Sequence, residues 1–195
     1  LTRQSQDVLA QQMFTQAARE AHQFNLPTLE AIAYFQLGRQ ALLANNDYKT
    51  AQAQLQKLQH QLRTTTVSNA LLPLYAQLLQ TSLNVELHRF EIAQKELANL
   101  RDLLTTNTLP AALDIAILIL SGDYHDARQQ NEMALASYAD ALRIAITQNE
   151  ALLQAQLAEK MSLIFEQNGN LPQALHFSEM ACDQWQRIGN GDWLA

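Results

Sequence analysis

The sequence predicts an all-α protein built as a helical repeat, with about nine helices arranged as four pairs behind one unpaired N-terminal helix. Three observations carry that prediction. Leu (34), Ala (29) and Gln (25) supply 88 of the 195 residues, and all three favour helix. Only 5 Gly and 4 Pro occur, too few for the tight turns of a sheet protein. The third observation is a period. Ala10, Ala51, Ala93, Ala134 and Ala174 recur at spacings of 41, 42, 41 and 40. Four residues on from each stand Phe14, Leu55, Leu97, Tyr138 and Ser178; seven on stand Ala17, Leu58, Leu100, Ala141 and Ala181. Offsets of 0, 4 and 7 share one helix face, so a small residue lets a neighbouring helix approach and a larger one fills the space beside it.

Each element follows from that register. The stretch 3–24 carries Ala10, Phe14 and Ala17 and reads as the second member of a pair. Pro27 opens 27–45, whose LGRQALL places Gly38 ahead of Ala51; the turn ANNDY leads into 47–63. Ser68 marks the start of 69–86, the least regular segment, with Gln80 and Thr81 where other first helices carry a small residue. FEIAQKELANLR fixes 88–105. Pro110 opens 110–128, where SGDYHDA contains Gly122, and RQQNE leads into 130–148. Ala151 lies near the start of 150–168, which holds Ser162. QNGNLP then offers Gly169 as a helix C-cap and Pro172 as a first helical position before 171–188. Gly38, Gly122 and Ser162 stand 12 or 13 residues before a shared alanine. A glycine inside a helix costs about 1 kcal/mol relative to alanine, so its return at one phase predicts close helix–helix contact. With no linker or low-complexity stretch, residues 1–195 read as a single solenoid domain with repeats at about 27–63, 69–105, 110–148 and 150–188.

Charge narrows the partners. The formal net charge is −6, which argues against a nucleic-acid surface. Residues 1–102 carry 9 basic and 8 acidic groups, whereas 103–195 carry 4 and 11; the acidic C-terminal half would attract a basic partner. The longest apolar run, Ala111 to Leu120, is interrupted by Asp114 and is too short to span a bilayer. The lone Cys182 sets aside any internal disulfide and reads as a small buried hydrophobe beside Ala181. A soluble protein of either the cytoplasm or the periplasm fits.

Catalytic chemistry is weakly represented. His22, His60, His88, His125 and His176 fall on different helices without paired spacing, whereas a zinc site wants three or four ligands in recognisable pairs. Asp123, His125 and Asp126 form the one local cluster, read as solvated or groove-lining. No Ser–His–Asp arrangement or phosphate-cradling glycine loop stands out. The expectation is therefore no enzyme, no cofactor and no metal.

The pair pattern in LGRQALLANNDYKTAQAQL and MSLIFEQNGNLPQALHFSEMA resembles the tetratricopeptide repeat (TPR) family, over the whole chain. The period of 40–42 exceeds the usual 34 residues, as in long TPR-like regions of bacterial signalling proteins. The resemblance implies a right-handed α–α superhelix whose first helices line a concave groove for peptides. The groove candidates are then Phe35, Arg39, Leu42, Tyr75, Leu78, Ser82, Ile119, Asp123, Asp126, Glu159, Leu163 and Glu166. Arg39 is the sole base against four acids, so the implied partner is a protein or peptide with an apolar stripe and a basic end, and a clamp for a C-terminal carboxylate is not expected. The resemblance further implies a sensory or regulatory region beside a diguanylate cyclase (GGDEF) domain or within a transcription activator. A small-ligand sensor with a pocket inside the superhelix is the alternative. The register also predicts a piece of a longer solenoid: helix 3–24 lacks its first member, and 191–195 reads as the start of another helix. Ends open in this way would expose Met13, Phe14, Trp185 and Trp193 and drive self-association.

Overall fold

The computed structural model describes residues 3–45, 47–64, 71–106 and 109–189, and every element among them is an α-helix. In order these are α1 (Arg3–Gln23), α2 (Pro27–Asn45), α3 (Tyr48–Thr64), α4 (Leu71–Glu86), α5 (Phe90–Thr106), α6 (Ala111–Ala127), α7 (Asn131–Thr147), α8 (Ala151–Gln167) and α9 (Leu171–Gly189). Consecutive helices pack on one another as an all-α helical repeat. Two compact units are present, Leu1–Glu96 and Leu97–Ala195, with the boundary inside α5. Ser68 and the predicted helix start at 191–195 lie outside the described residues.

One turn is used five times. α1–α2, α4–α5, α6–α7, α7–α8 and α8–α9 are each joined by three residues, the middle one left-handed: Asn25, His88, Gln129, Asn149 and Gly169, at φ 54 to 72°. At each, the left-handed residue's N–H reaches the carbonyl three residues back and the next N–H reaches five back, as Gly169 to Glu166 at 2.9 Å and Asn170 to Phe165 at 2.8 Å. This pair of bonds satisfies carbonyls that a helix end otherwise leaves without partners. Around it, 17-residue helices and three-residue turns build the long period; the excess over 34 residues lies in helix length. The residue that closes each turn accepts a bond from the residue four places on. Arg89, Gln130 and Asn170 accept from Ala93, Ala134 and Ala174, and Asp47 ahead of α3 accepts from Ala51, each at 3.0 Å. Ala51, Ala93, Ala134 and Ala174 thus occupy one position in the opening turns of α3, α5, α7 and α9, whereas Ala10 lies deeper in α1.

The seam packs as the register requires in α3, α5 and α7, and in α9 at every position but Ser178. Ala51, Leu55 and Leu58 are buried, as are Ala93, Leu97 and Leu100, Ala134, Tyr138 and Ala141, and Ala174 and Ala181; Ser178 is exposed. α1 departs from it. Ala10 and Phe14 are half-buried and Ala17 is exposed, while Ala18 and Ala21 are the buried residues. α1 packs on α2 through its C-terminal half along a narrow stripe, which turns the buried face by about one residue. Cys182 is exposed rather than buried. Ala174 and Ala181 define the buried line of α9, and a residue about 100° on from Ala181 turns to solvent.

The small residues mark close approach, as expected. A Cβ added to Gly122 would stand 2.3 Å from the Tyr138 ring, and one added to Gly38 would stand 2.6 Å from Leu79 of α4. Ser162 donates its hydroxyl to the Ala174 carbonyl at 2.8 Å. In α4 the place is filled by Thr81, fully buried, with its hydroxyl bonded to the Gln77 carbonyl of its own helix at 2.9 Å. In the second unit α6, α7 and α8 share a core of Ile115, Ile119, Tyr138, Leu142, Leu157, Met161 and Ile164. Phe165 and Phe177 pack against it with stacked rings 5.5 Å apart.

Candidate functional site

The predicted groove residues separate into core and surface. Phe35, Leu42, Tyr75, Leu78 and Ile119 are buried; Phe35 and Tyr75 lie against each other, ring centroids 5.5 Å apart, and Ile119 belongs to the second unit's core. Arg39 is half-buried. Ser82 bonds the Leu78 carbonyl of its own helix at 2.9 Å. Polar chemistry gathers instead in the second unit, on α6 and α8. Asp123 accepts from the Tyr138 hydroxyl at 2.6 Å and from the Lys160 ammonium at 2.7 Å. Lys160 also stands 5.5 Å over the Tyr138 ring. Asp126 lies beside this group; burial pushes its carboxyl above the usual range, with Lys160 opposing and Asp123 adding to the shift. Glu159 accepts from the Trp185 indole at 2.8 Å. Leu163, 57% exposed, and Glu166 face solvent on α8. Lys160 escaped the sequence reading because its single positive charge carries no periodic signal.

His125 parts company with its neighbours. It is buried, its Nδ1 lies 2.8 Å from the Gln130 amide oxygen, and its Nε2 lies 3.4 Å from Arg101, which also bonds Ser121. Asp123 and His125 therefore serve different networks and do not converge on one point. Among the described residues no group of three His, Cys, Asp or Glu side chains could hold a metal ion.

A second polar locus was not anticipated. In the first unit α1 and α3 both pack on α2, and a groove of about 410 Å³ is lined by all three helices. Gln11, Thr15, Ala18 and His22 stand at offsets 0, 4, 7 and 11 of α1, and Thr50, Gln54 and Lys57 at 0, 4 and 7 of α3. Each series is one helix face. Arg19 flanks the first, and Tyr34 and Leu37 come from α2. Beneath lies Glu30, buried, whose Oε1 accepts from the Tyr34 hydroxyl at 2.8 Å and faces His22 Nδ1 at 3.1 Å, while Oε2 accepts from Gln61. Burial, followed by the Glu30 hydrogen bond and charge, pushes the Tyr34 phenol up to about 12. Lys57 stands 5.1 Å over the Tyr34 ring. Each stripe lies one residue beside a seam read for its apolar content, so its polar character passed as ordinary solvation.

No protein-family model matches the chain, and no curated protein matches it. No helix among the described residues is long and apolar enough to cross a membrane.

Proposed function

We propose that the chain is a non-enzymatic protein- or peptide-binding scaffold of the TPR-like kind, serving as the sensory or regulatory region of a larger bacterial signalling protein with a GGDEF or transcription-activator output. The observation that carries this reading is the acidic surface on the first helices α6 and α8. Asp126 and Glu159 are half-buried and Glu166 is exposed, beside the open Leu163 side chain. Carboxylates of one sign on packed helices raise the local concentration of a basic partner, and an adjacent apolar side chain offers it a hydrophobic contact. The partner is accordingly a peptide segment with a basic end and an apolar stripe. Peptides of that composition should bind at low salt and weaken as salt rises. Asp126→Lys and Glu159→Lys should each slow association about tenfold while changing release less. Salt-independent binding, or association rates unmoved by both reversals, would contradict the reading.

A second reading, a small-ligand sensor, is favoured by the 410 Å³ groove of the first unit, a volume within the range of small-molecule sites. Its lining mixes polar side chains with apolar surface rather than forming the deep apolar cavity a hydrophobic ligand would need.

A further inference from the structure

We infer that the groove between α1, α2 and α3 is a binding site for a compact anionic group, a carboxylate or phosphate, held by Arg19 and Lys57. The inference deepens the small-ligand reading and is independent of the acidic surface in the second unit. Three observations carry it.

The first is charge. The lining holds Arg19, His22 and Lys57 but no aspartate or glutamate. Arg19 and Lys57 have no carboxylate partner among the described residues. Two acids stand near: Glu30 is buried behind the lining with both oxygens engaged, and Asp47, at the Thr50 end, accepts from the Thr50 N–H at 3.0 Å. His22 Nδ1 faces the buried Glu30 carboxylate, and Arg19 and Lys57 are the lining cations without a carboxylate partner among the described residues. Cations of one sign in a concave site focus the field on an anion.

The second is donor chemistry. Arg19 presents a planar fork suited to bidentate bonds with carboxylate or phosphate, and Lys57 adds a point charge. Lys57 Nζ is held 5.1 Å over the Tyr34 ring, and the Tyr34 hydroxyl is in turn fixed on Glu30. Thr15 and Gln54 supply further polar groups to the same lining.

The third is an unmet need. The Gln54 side-chain oxygen is shielded from solvent and has no hydrogen-bond partner. A buried acceptor without a donor costs about 1–3 kcal/mol. A ligand that carries a hydroxyl or amide beside its anionic group would supply one. The cations sit on the second helices α1 and α3, not on the first helices that the family resemblance makes the lining of a peptide groove.

Titration of the full chain, read from backbone amide shifts, tests the site with four probes: inorganic phosphate, malonate, its neutral isostere malonamide, and a peptide rich in Asp and Glu. The expected result is saturable binding of at least one anion, with shifts confined to α1, α2 and α3. Arg19→Gln and Lys57→Gln should each weaken it about tenfold. Both side chains are exposed, so neither variant disturbs the core, and Lys49→Gln, outside the groove, should leave affinity unchanged. Phosphate or malonate binding identifies a free small anion as the source; binding of the peptide alone identifies an acidic protein segment. Malonamide binding with no anion binding would overturn the charge assignment while sparing the groove as a ligand site. Absence of binding by all four probes would overturn both, and equal loss in Lys49→Gln would reduce the effect to net charge and overturn the site.

Discussion

The two units use one helix position in the same way and the surfaces around it in opposite ways. Four residues beyond the turn that precedes α2 stands Glu30; four beyond the turn that precedes α8 stands Gln154. Both are buried, and both tie their helix to the one before it. Glu30 meets His22 of α1, and Gln154 donates to the Ala145 carbonyl of α7 at 3.1 Å. A polar anchor on α2 and α8 thus stands where α3, α5, α7 and α9 carry an alanine. Outside that frame, the first unit opens a groove with cations on its walls, while the second closes an apolar core under an acidic surface. The scaffold constrains the seam and leaves the flanking faces free to take either sign.

The comparison breaks most severely in the second unit. Ala134 is fully buried within a packed core, and Ala134→Leu should cost about 3 kcal/mol, the upper end of overpacking, as read by chemical denaturation. Gly122→Ala should cost about 2 kcal/mol, because the Tyr138 ring it would strike is anchored on Asp123 and cannot swing aside. In the first unit Glu30→Ala should lose about 2 kcal/mol by stranding Tyr34 and Gln61. Gly38→Ala should lose less than about 1 kcal/mol, since the atoms it meets are the methyl ends of Leu79. Equal losses at Gly38 and Gly122 would erase the contrast in packing.

The smallest effect is one of pH. Burial raises the Asp126 carboxyl in the folded chain above its unfolded value, so the protonated form favours folding. That contribution is complete below the unfolded value and is lost as pH rises through the folded one. Asp126→Asn should therefore melt above the wild type at neutral pH, with the gap closing in acid. A gap that widens in acid would reverse the sign assigned to this group.

Much of the fold was legible in the sequence for a physical reason. Helix periodicity writes itself into spacing, and every helix boundary within the described residues falls within two residues of its expected position. Gly38 and Gly122 announced close approach because their lack of a side chain is costly in a helix. The turns were legible only where chemistry advertised them. Gly169 signalled a left-handed residue, but His88 and Gln129 hold the same conformation without the residue type that predicts it. The site was less legible. Spacing placed Phe35, Tyr75 and Ile119 on the inner sides of first helices, but whether such a side packs in the core depends on the neighbouring helix. Spacing along one chain does not encode that neighbour. The groove pairs α1 with α3 across α2, a juxtaposition that no local pattern records.

The most direct test of the account is a paired titration of one labelled sample, first with an acidic probe, malonate or an acidic peptide, and then with a basic amphipathic peptide. The account predicts two separate sets of shifted amides: α1 and α3 of the first unit for the acidic probe, α6 and α8 of the second for the basic one. Each set should shrink as salt rises. Both probes shifting the same helices, or the acidic probe shifting α6 and α8, would contradict it.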